Sequence, residues 1–257
     1  GAAFICICLD LAKPYYRNAV KVLAGECDLL VTTDQPADAE LTARAQGRVM
    51  LGWHVVDTSA FTPRGQERDL DVSFVGKFDG HYDYREPFLT HLGDNGIELF
   101  LAGSSAGRFL SNDAYADVIR RSRIALNFSG FEAVSMWDSH PLTGRPHNVI
   151  ADRHHLKARV FEIMESEALL FESENNVITE WFEPGVHYVP FSDKGDLLEK
   201  IRYYLANEDE RQAIAAAGRR LVLEKYNAHG FWHEVFDPLY ASGRFQRLPT
   251  WRDVQLD

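Results

Sequence analysis

The chain has 257 residues, which is enough for one large domain or two modest ones. Its side chains are 46% hydrophobic and 25% charged, an ordinary globular usage that predicts a packed core. The formal net charge of −11 argues against the broad basic face that nucleic acids require, but a small cationic pocket for a phosphorylated ligand needs only two or three side chains.

The three cysteines, Cys6, Cys8 and Cys27, form no dense framework, so we interpret them as small buried apolar residues in a reducing cytoplasm. No apolar run approaches the roughly 18 residues of a membrane span, which leaves at most peripheral membrane contact. The apolar N-terminus has no preceding cationic region. It is therefore interpreted as a core strand that opens in mid-strand and not as a signal peptide.

Short apolar runs alternate with amphipathic helical patterns, which is typical of a parallel sheet covered by helices. The first region predicts strands at 4–9, 28–32 and 49–51 and helices at 15–24 and 37–45. The polar stretch 57–69 follows as the best linker candidate. This predicts a partial or compact N-terminal α/β domain over residues 1–60.

The second region repeats the alternation more strongly. Strands are predicted at 72–75, 97–102, 124–128, 168–171 and 187–191, and helices at 84–94, 114–121, 155–165 and 177–182, with Gly96 capping the first helix. A long polar loop is predicted at 129–153, and helices at 195–207, 208–226 and 231–240 close the chain. We expect a complete doubly wound domain over residues 70–227. Residues 228–257 should form a helix and tail that pack back on the N-terminal region.

In open sheets of this class, ligands bind outside the carboxyl ends of the strands. Gly76 and Lys77 follow the first strand of the second region. Glycine there lets the backbone approach a ligand, and lysine is a point charge suited to phosphate. The alternative is that Gly76 only permits a turn and Lys77 is solvated.

The predicted helix at 155–165 carries the second group of candidates. Lys157 falls in its first turn, and Arg159 lies two residues on, so the two cations would reach an anion from different sides. Glu162 lies three residues after Arg159, which suits either an ordinary ion pair or hydrogen bonds to ribose hydroxyls. The histidines at 140, 147, 154 and 155 match no metal-ligand spacing, so no metal site is expected.

These residues belong to short motifs that occur in a consistent order. The chain has Asp-Val-Ser-Phe-Val-Gly at 71–76, Leu-Lys-Ala-Arg-Val-Phe-Glu-Ile-Met-Glu at 156–165 and Glu-Trp-Phe-Glu-Pro-Gly at 180–185, followed by the segments 197–205 and 210–219. Together, over roughly 71–236, they resemble the C-terminal domain of group-1 glycosyltransferases. The branch that the motifs resemble most is typified by spore-maturation glycosyltransferases.

The resemblance implies a GT-B fold, an α/β architecture of two Rossmann-like domains. The second domain would bind a nucleoside-diphosphate sugar and the first a glycan or glycoconjugate acceptor. The donor residues it implies are Gly76 and Lys77 beside the diphosphate, Lys157 and Arg159 as cationic contacts, Glu162 at the ribose, and the loop with Phe128 and Ser129 at the base. No metal or other cofactor is implied, because lysine, arginine and helix N-termini neutralise the leaving diphosphate.

Two departures from the family pattern stand out. His154 occupies the first position of a paired Glu-x7-Glu, whose second member is Glu162, and a histidine there could still hydrogen-bond a sugar hydroxyl. Ser166 and Glu167 stand where relatives often have a small residue followed by glycine.

Residues 27–34 and 53–57 resemble the end of the family's N-terminal domain. A full domain would need about a hundred more residues upstream, so the region is either a compact variant or part of something longer. Asp10, His54 and also Asp34 follow predicted strands there. The candidate catalytic residues are Asp10, His54 and His154. Any of the strand-end residues could act as a base if the reaction inverts. The alternative for each of these strand-end residues is a helix-capping or turn role.

We therefore expect a glycosyltransferase, metal-independent and, from the resemblance alone, retaining. Two alternatives stay open. A nucleotide-sugar epimerase would share the architecture but needs an acid and base pair facing the sugar, and no such pair is evident. A degenerate transferase domain acting as a binding module is favoured by His154, Glu167 and the short N-terminal region. A receiver domain is disfavoured because no acidic cluster follows a first strand.

Overall fold

The structure is a computed structural model that describes residues 3–8, 20–33, 39–46, 48–129, 134–139, 146–151, 156–174 and 177–243. The first region forms a parallel three-stranded sheet in the order β1-β2-β3, with strands Ile5–Cys8, Leu29–Thr32 and Val49–Leu51. Its helices are α1, described over residues 20–24, α2 (Ala39–Arg44) and α3 (Thr58–Phe61). The predicted alternation of strand and helix is confirmed here for the described residues.

The second region forms a five-stranded sheet in which every pairing is parallel, in the order β10-β9-β6-β4-β5. The strands are β4 (Leu70–Val75), β5 (Leu99–Ala102), β6 (Ser122–Asn127), β9 (Leu169–Ser173) and β10 (Val189–Phe191). The helices are α4 (Glu86–Asp94), α5 (Asn112–Arg121), α6 (Ala158–Glu165), α7 (Lys194–Ala206), α8 (Glu208–Lys225) and α9 (Ala228–Ala241), with 3-10 turns at Gly80–Arg85 and Ile178–Glu180.

Local sequence signals explain several of these boundaries. Helix α5 begins after Ser111, whose hydroxyl accepts from the Ala114 amide at 3.2 Å, and α7 begins after Asp193, whose carboxylate accepts from two amides of the first turn. Gly96 follows α4 with φ of +80°, the left-handed conformation expected of a C-terminal glycine.

Strand order identifies the ligand-binding edge of the larger sheet. Counted along the chain within this sheet, the strands lie in the order 2-1-3-4-5, which reverses between the first strand, β4, and the third, β6. Open α/β sheets bind ligands at the carboxyl ends of the strands on either side of such a reversal. Here those ends are Val75-Gly76 on β4 and Asn127-Phe128 on β6.

One predicted loop is wrong in part. Within residues 129–153, strand β7 (Val134–Ser139) pairs antiparallel with β8 (Pro146–Ala151), from Val134 opposite Ala151 to Ser139 opposite Pro146. The polar composition suggested a loop, but each strand has a run of backbone groups that the other strand satisfies. The Pro- and Gly-containing residues 140–145 lie between the two strands.

The start of α6 also differs from the prediction. The helix begins at Ala158, three residues later than predicted, and Lys157 is its N-cap with φ −88° and ψ 147°. Lys157 therefore lies in extended backbone before the helix and not in its first turn. The short helix predicted at 177–182 is likewise reduced to the 3-10 turn Ile178–Glu180.

A shared apolar core joins the two sheets. Leu29, Val31 and Trp53 of the first region are buried in the same cluster as residues of α6, α8 and α9. Trp53 makes edge contacts with Trp181, Tyr226 and Phe231 at centroid distances of 5.9, 5.3 and 5.5 Å. Helix α9 thus packs on the three-stranded sheet after the chain has completed the five-stranded one.

Candidate functional site

Two of the predicted site residues, Gly76 and Arg159, lie against each other. A methyl group placed on Gly76 would lie 3.3 and 3.4 Å from the two terminal nitrogens of Arg159, and 3.0 Å from the Phe74 ring. Gly103, at the end of β5, has φ of +117°, and a methyl group on it would lie 2.4 Å from the Gly76 carbonyl oxygen. Gly103 is therefore required for the backbone to pack as it does at this edge, and the absence of a side chain on Gly76 lets the Arg159 guanidinium lie close to the strand end.

The guanidinium of Arg159 is held from three sides. Its Nη1 donates to Oδ1 of Asn127 at 3.3 Å, it lies 5.8 Å from the centre of the Phe74 ring, and it is within hydrogen-bonding reach of the Tyr115 hydroxyl. Its Nε is buried and has no hydrogen-bond partner in the described part of the chain. The structure thus directs this cation to the edge where the strand order reverses.

Glu162 lies one turn further along α6 and faces α5. Its Oε2 accepts a hydrogen bond from the Tyr115 hydroxyl at 2.5 Å. Burial raises the pKa of Tyr115, and the nearby Glu162 carboxylate raises it further while Arg159 opposes the shift. Tyr115 therefore stays protonated and donates a hydrogen bond to Glu162. One carboxylate oxygen of Glu162, the residue predicted to bind the ribose, is thus already hydrogen-bonded within the protein.

Lys157 reaches across to β6 and β9. Its Nζ donates to the Phe128 carbonyl at 2.5 Å, and its charge lies close enough to Glu172 to lower that carboxyl's pKa, against the larger upward effect of burial. Lys157 is thus partly neutralised within the protein, whereas Arg159 has no acidic partner at ion-pair distance among the described residues.

Phe128 and Ser129 are more deeply buried than a base-stacking loop would require. The Phe128 ring packs edge-on against Phe74, Phe88 and Phe191 in the core, at centroid distances of 5.3 to 5.6 Å. Ser129 donates from its amide to Glu172 at 2.7 Å. Any contact that Phe128 makes with a ligand would therefore pass through its backbone.

The loop after β4 is fixed by a buried arginine. Arg85, which is 3% exposed, donates to the Lys77 carbonyl at 2.8 Å and to the Phe128 carbonyl at 3.0 Å, and so ties together the two loops at the reversal point. The Lys77 side chain is exposed and lies 3.6 Å from Asp79. It remains able to swing towards an anion at this edge.

His54 brings the first region to the same place. It follows β3, it is half-buried, and its imidazole hydrogen-bonds the backbone of Leu156, directly before α6. Burial lowers the pKa of His54, and this hydrogen bond only partly opposes the shift. The ring is therefore neutral at pH 7, with one nitrogen able to accept a proton. Asp10 and His154 lie outside the described residues.

The described part of the chain has neither a candidate metal centre nor a candidate membrane span. It contains no group of three or more histidine, cysteine, aspartate or glutamate side chains placed to hold a metal ion. None of its helices has the length and apolar character needed to cross a bilayer.

A cavity of about 700 Å³ lies well away from these residues. It is mainly apolar and lies between the amino ends of β2 and β3 and the second half of α9, where Leu29, Val49 and Leu239 contribute to its wall. Volume alone would favour it, but no predicted site residue lines it. The contact between Gly76 and Arg159 at the carboxyl ends of the strands is the stronger indication of function.

Sequence reasoning missed Tyr115, Asn127 and Glu172, which hold the predicted residues in place. Glu172 left a signal, because an acidic residue follows the apolar run 168–171 where a buried strand is predicted. Asn127 likewise ends the apolar run of β6. Polar residues at the carboxyl end of a buried strand are candidates for a site in this class of fold.

Comparison with protein families settles the class of protein. A family model described as glycosyl transferase-like matches residues 66–237, which is more than half of the chain. The chain belongs to this family. The predicted glycosyltransferase is thereby confirmed, and assignment to the spore-maturation branch stays a prediction. No curated protein matches the sequence.

Several solved structures of glycosyltransferases have a fold similar to that of this chain. HepE of Anabaena, in complex with UDP and glucose, superposes with a TM-score of 0.66 at 9% identity, over 92% of this chain and 71% of that one. Sucrose-phosphate synthase of Thermosynechococcus elongatus gives 0.58 at 12% identity, over 90% and 63%. A mutant of S. aureus TarM, in complex with Fondaparinux, alpha-GlcNAc-glycerol and UDP, gives 0.58 at 8% identity, over 88% and 46%. The predicted α/β fold of the GT-B type is confirmed.

Proposed function

We propose that this glycosyltransferase takes its sugar from a nucleoside-diphosphate donor, binds the diphosphate at the strand edge formed by Gly76 and Arg159, and transfers the sugar to a glycan or glycoconjugate. The observation that supports it most is the guanidinium of Arg159 lying against Gly76 at the strand reversal. The absence of a side chain on Gly76 lets the guanidinium lie against the backbone, and a planar guanidinium suits two oxygens of a phosphate. HepE and TarM were crystallised with UDP, so UDP is the first nucleotide to test.

The chemistry follows from the charges at this edge. As the bond between the anomeric carbon and the diphosphate oxygen breaks, negative charge builds on the diphosphate, while the acceptor oxygen forms the new bond. The acceptor proton passes to the departing diphosphate oxygen, or to a protein base if the reaction inverts. Arg159 would stabilise that charge directly, with Lys77 and the amides after β4 as further donors. Lys157 would act more weakly, because Glu172 offsets its charge. These groups suit transfer without a metal ion, and we expect activity to survive EDTA.

Stereochemistry depends on whether a base is used. The family resemblance favours retention, which needs no protein base at the acceptor. His54 supports the competing outcome, because a neutral imidazole between the first sheet and α6 could take the acceptor proton in an inverting reaction. Proton NMR of the first-formed anomer distinguishes the two: inversion together with loss of turnover in His54→Ala would contradict retention.

Donor binding is tested by calorimetry of the protein against UDP, GDP and dTDP and their sugars. Arg159→Ala removes charge-assisted hydrogen bonds that are each worth about 1.5–3 kcal/mol, so affinity should fall roughly 10- to 100-fold. The affinity of Arg159→Lys for the nucleotide should lie between those of the wild type and Arg159→Ala. Arg220→Ala, an exposed arginine on α8, is the matched control and should bind like the wild type. If no nucleoside diphosphate binds the folded protein, the proposal fails.

Product analysis separates the alternatives. Conversion of the donor sugar to an isomer in the absence of acceptor would indicate an epimerase. Nucleotide binding that depends on Arg159, with no turnover on any acceptor, would indicate a binding module. Transfer to an acceptor supports the proposal.

A further inference from the structure

We propose that Glu172 is a positioning residue for the diphosphate-binding arginine, acting through the side-chain amide of Asn127. This inference rests on the proposed function, since it assigns Arg159 its ligand. Neither Glu172 nor Asn127 is expected to touch the donor. Their role is to fix where the guanidinium lies.

Glu172 is a fully buried carboxyl group surrounded by donors. Its Cα is paired with that of Asn127 across β6 and β9. One oxygen, Oε1, accepts from the Ser129 amide at 2.7 Å and from the Ser173 hydroxyl at 3.2 Å. The other, Oε2, accepts from Asn127 Nδ2 at 2.6 Å and from the Ser129 hydroxyl at 3.1 Å. A buried carboxylate is tolerated in this position because its lone pairs are satisfied.

These contacts determine the orientation of the Asn127 amide. A carboxylate can only accept, so the amide must turn its NH₂ group to Glu172. That nitrogen also donates to the Ser129 hydroxyl at 2.8 Å, which leaves both of its hydrogens in use. The carbonyl oxygen of Asn127 is therefore directed away from Glu172, and it is the atom that accepts from Arg159 at 3.3 Å.

The chain of contacts thus runs from Glu172 to Asn127 to Arg159 and ends against Gly76. Lys157 supports its first link, because its charge favours the ionised carboxylate. Reversal of the amide would place an NH₂ group against the guanidinium, which has only donors. Arg159 would then lose this anchor and move from the strand edge.

The substitution Glu172→Gln provides the sharpest disruption. The backbone N–H of Ser129 is fixed and requires the single oxygen of glutamine, so the new NH₂ group faces Asn127. The Asn127 amide must then turn its oxygen inward and its nitrogen towards Arg159. We expect UDP affinity to fall about tenfold, the effect of one lost hydrogen bond to a charged group.

A double-mutant cycle separates positioning from general damage. Because Glu172 acts through Arg159, Glu172→Gln combined with Arg159→Ala should bind UDP no more weakly than Arg159→Ala alone. Additive losses would overturn the proposal. Glu165→Gln is the matched control, since it makes the same change in another fully buried glutamate, at the far end of α6, and should leave UDP affinity unchanged.

A crystal structure of unliganded Glu172→Gln protein tests the inference without any nucleotide. The expected result is a reversed Asn127 amide and a guanidinium displaced from Gly76. If Arg159 keeps its place on Asn127 in that variant, the proposal is wrong whatever UDP does. If Arg159 moves but the wild type binds no nucleoside diphosphate, the positioning role stands and the proposed function fails.

Discussion

The two ends of helix α6 differ in how well their buried polar side chains are hydrogen-bonded. At its start, Lys157 and Arg159 reach a network in which Asn127, Ser129 and Glu172 satisfy one another. At its other end, Glu165 is fully buried, yet neither carboxyl oxygen has a hydrogen-bond partner among the residues that the structure describes. Glu167, just beyond, has a left-handed backbone with φ of 56°.

The difference agrees with the proposed donor site. Hydrogen bonds that hold a site in one arrangement are concentrated where the strand order reverses and a ligand would bind. At the far end of α6, the backbone carbonyls of Glu165 and Ser166 accept hydrogen bonds from Arg219 and Arg68, but the buried Glu165 carboxylate belongs to no comparable network among the described residues. Substitutions at the start should therefore damage both binding and stability, whereas substitutions at the far end should change stability alone.

The largest effect is expected from Lys157→Ala. Its removal leaves Glu172 buried without its neighbouring positive charge, and breaking a buried pair destabilises proteins by about 3–5 kcal/mol. The loss should be greatest at pH 8. At pH 5 it should shrink, because Glu172, whose pKa burial already raises, can take up a proton. Urea denaturation at both pH values measures it.

The double variant Lys157→Ala with Glu172→Gln is the control for that explanation. Without the buried carboxylate the penalty should largely disappear, so the double variant should be more stable at pH 8 than Lys157→Ala. If the double variant is less stable than Lys157→Ala, the Lys157 charge does not stabilise the buried Glu172 carboxylate. The proposed difference between the two ends of α6 would then be contradicted.

The next effect concerns Glu165 and pH. Burial raises the pKa of this carboxyl to about 7, while Arg219 opposes the shift and Asp57 adds to it. A raised native pKa means that the protonated form is stabilised, so wild-type stability falls as pH rises from about 4.5 towards 8. Glu165→Gln does not titrate. Its stability relative to wild type should therefore improve by about 2–3 kcal/mol over that interval.

Urea denaturation at pH 5, 6.5 and 8 tests this sign, with UDP titration alongside. A stability difference that does not change with pH would mean that Glu165 has an ordinary pKa. A change in UDP affinity would mean that the far end of α6 is coupled to the site after all.

The smallest effect is expected at Glu167, where relatives often have glycine. A residue with a Cβ in the left-handed conformation costs about 1 kcal/mol, and the ion pair with Arg219, at 4.0 Å and partly exposed, contributes little. Glu167→Gly removes this backbone strain but also makes the unfolded chain more flexible, which opposes the gain. The net effect should be a rise of about 0.5–1 kcal/mol in the free energy of unfolding. Glu167→Ala keeps the Cβ, so it should give no such gain; equal effects would contradict the backbone explanation.

Much of the fold could be predicted because the strands of the five-stranded sheet are short apolar runs bounded by polar turns. The hairpin β7–β8 could not, since its stability lies in pairing between residues whose composition is that of a loop. The start of α6 was misplaced because helical periodicity cannot show that Lys157 has extended backbone.

Of the site, Gly76 and Arg159 could be predicted because each type of residue has a known use beside phosphate. The residues that hold them could not, because Glu172, Asn127 and Tyr115 act through contacts between strands and helices that lie 32 to 47 residues apart in sequence. The structure explains why Glu167 differs from the family pattern in an unfavourable way: its backbone has the left-handed conformation that suits glycine, although the residue is not glycine.

A crystal structure of the protein soaked with UDP tests the central claim most directly. We expect the diphosphate within hydrogen-bonding distance of the Arg159 guanidinium and against Gly76, with the ribose towards Glu162 and the base beside the backbone after Phe128. Diphosphate bound elsewhere, such as in the cavity between β2, β3 and α9, or a site in which Arg159 makes no contact with it, would contradict the account.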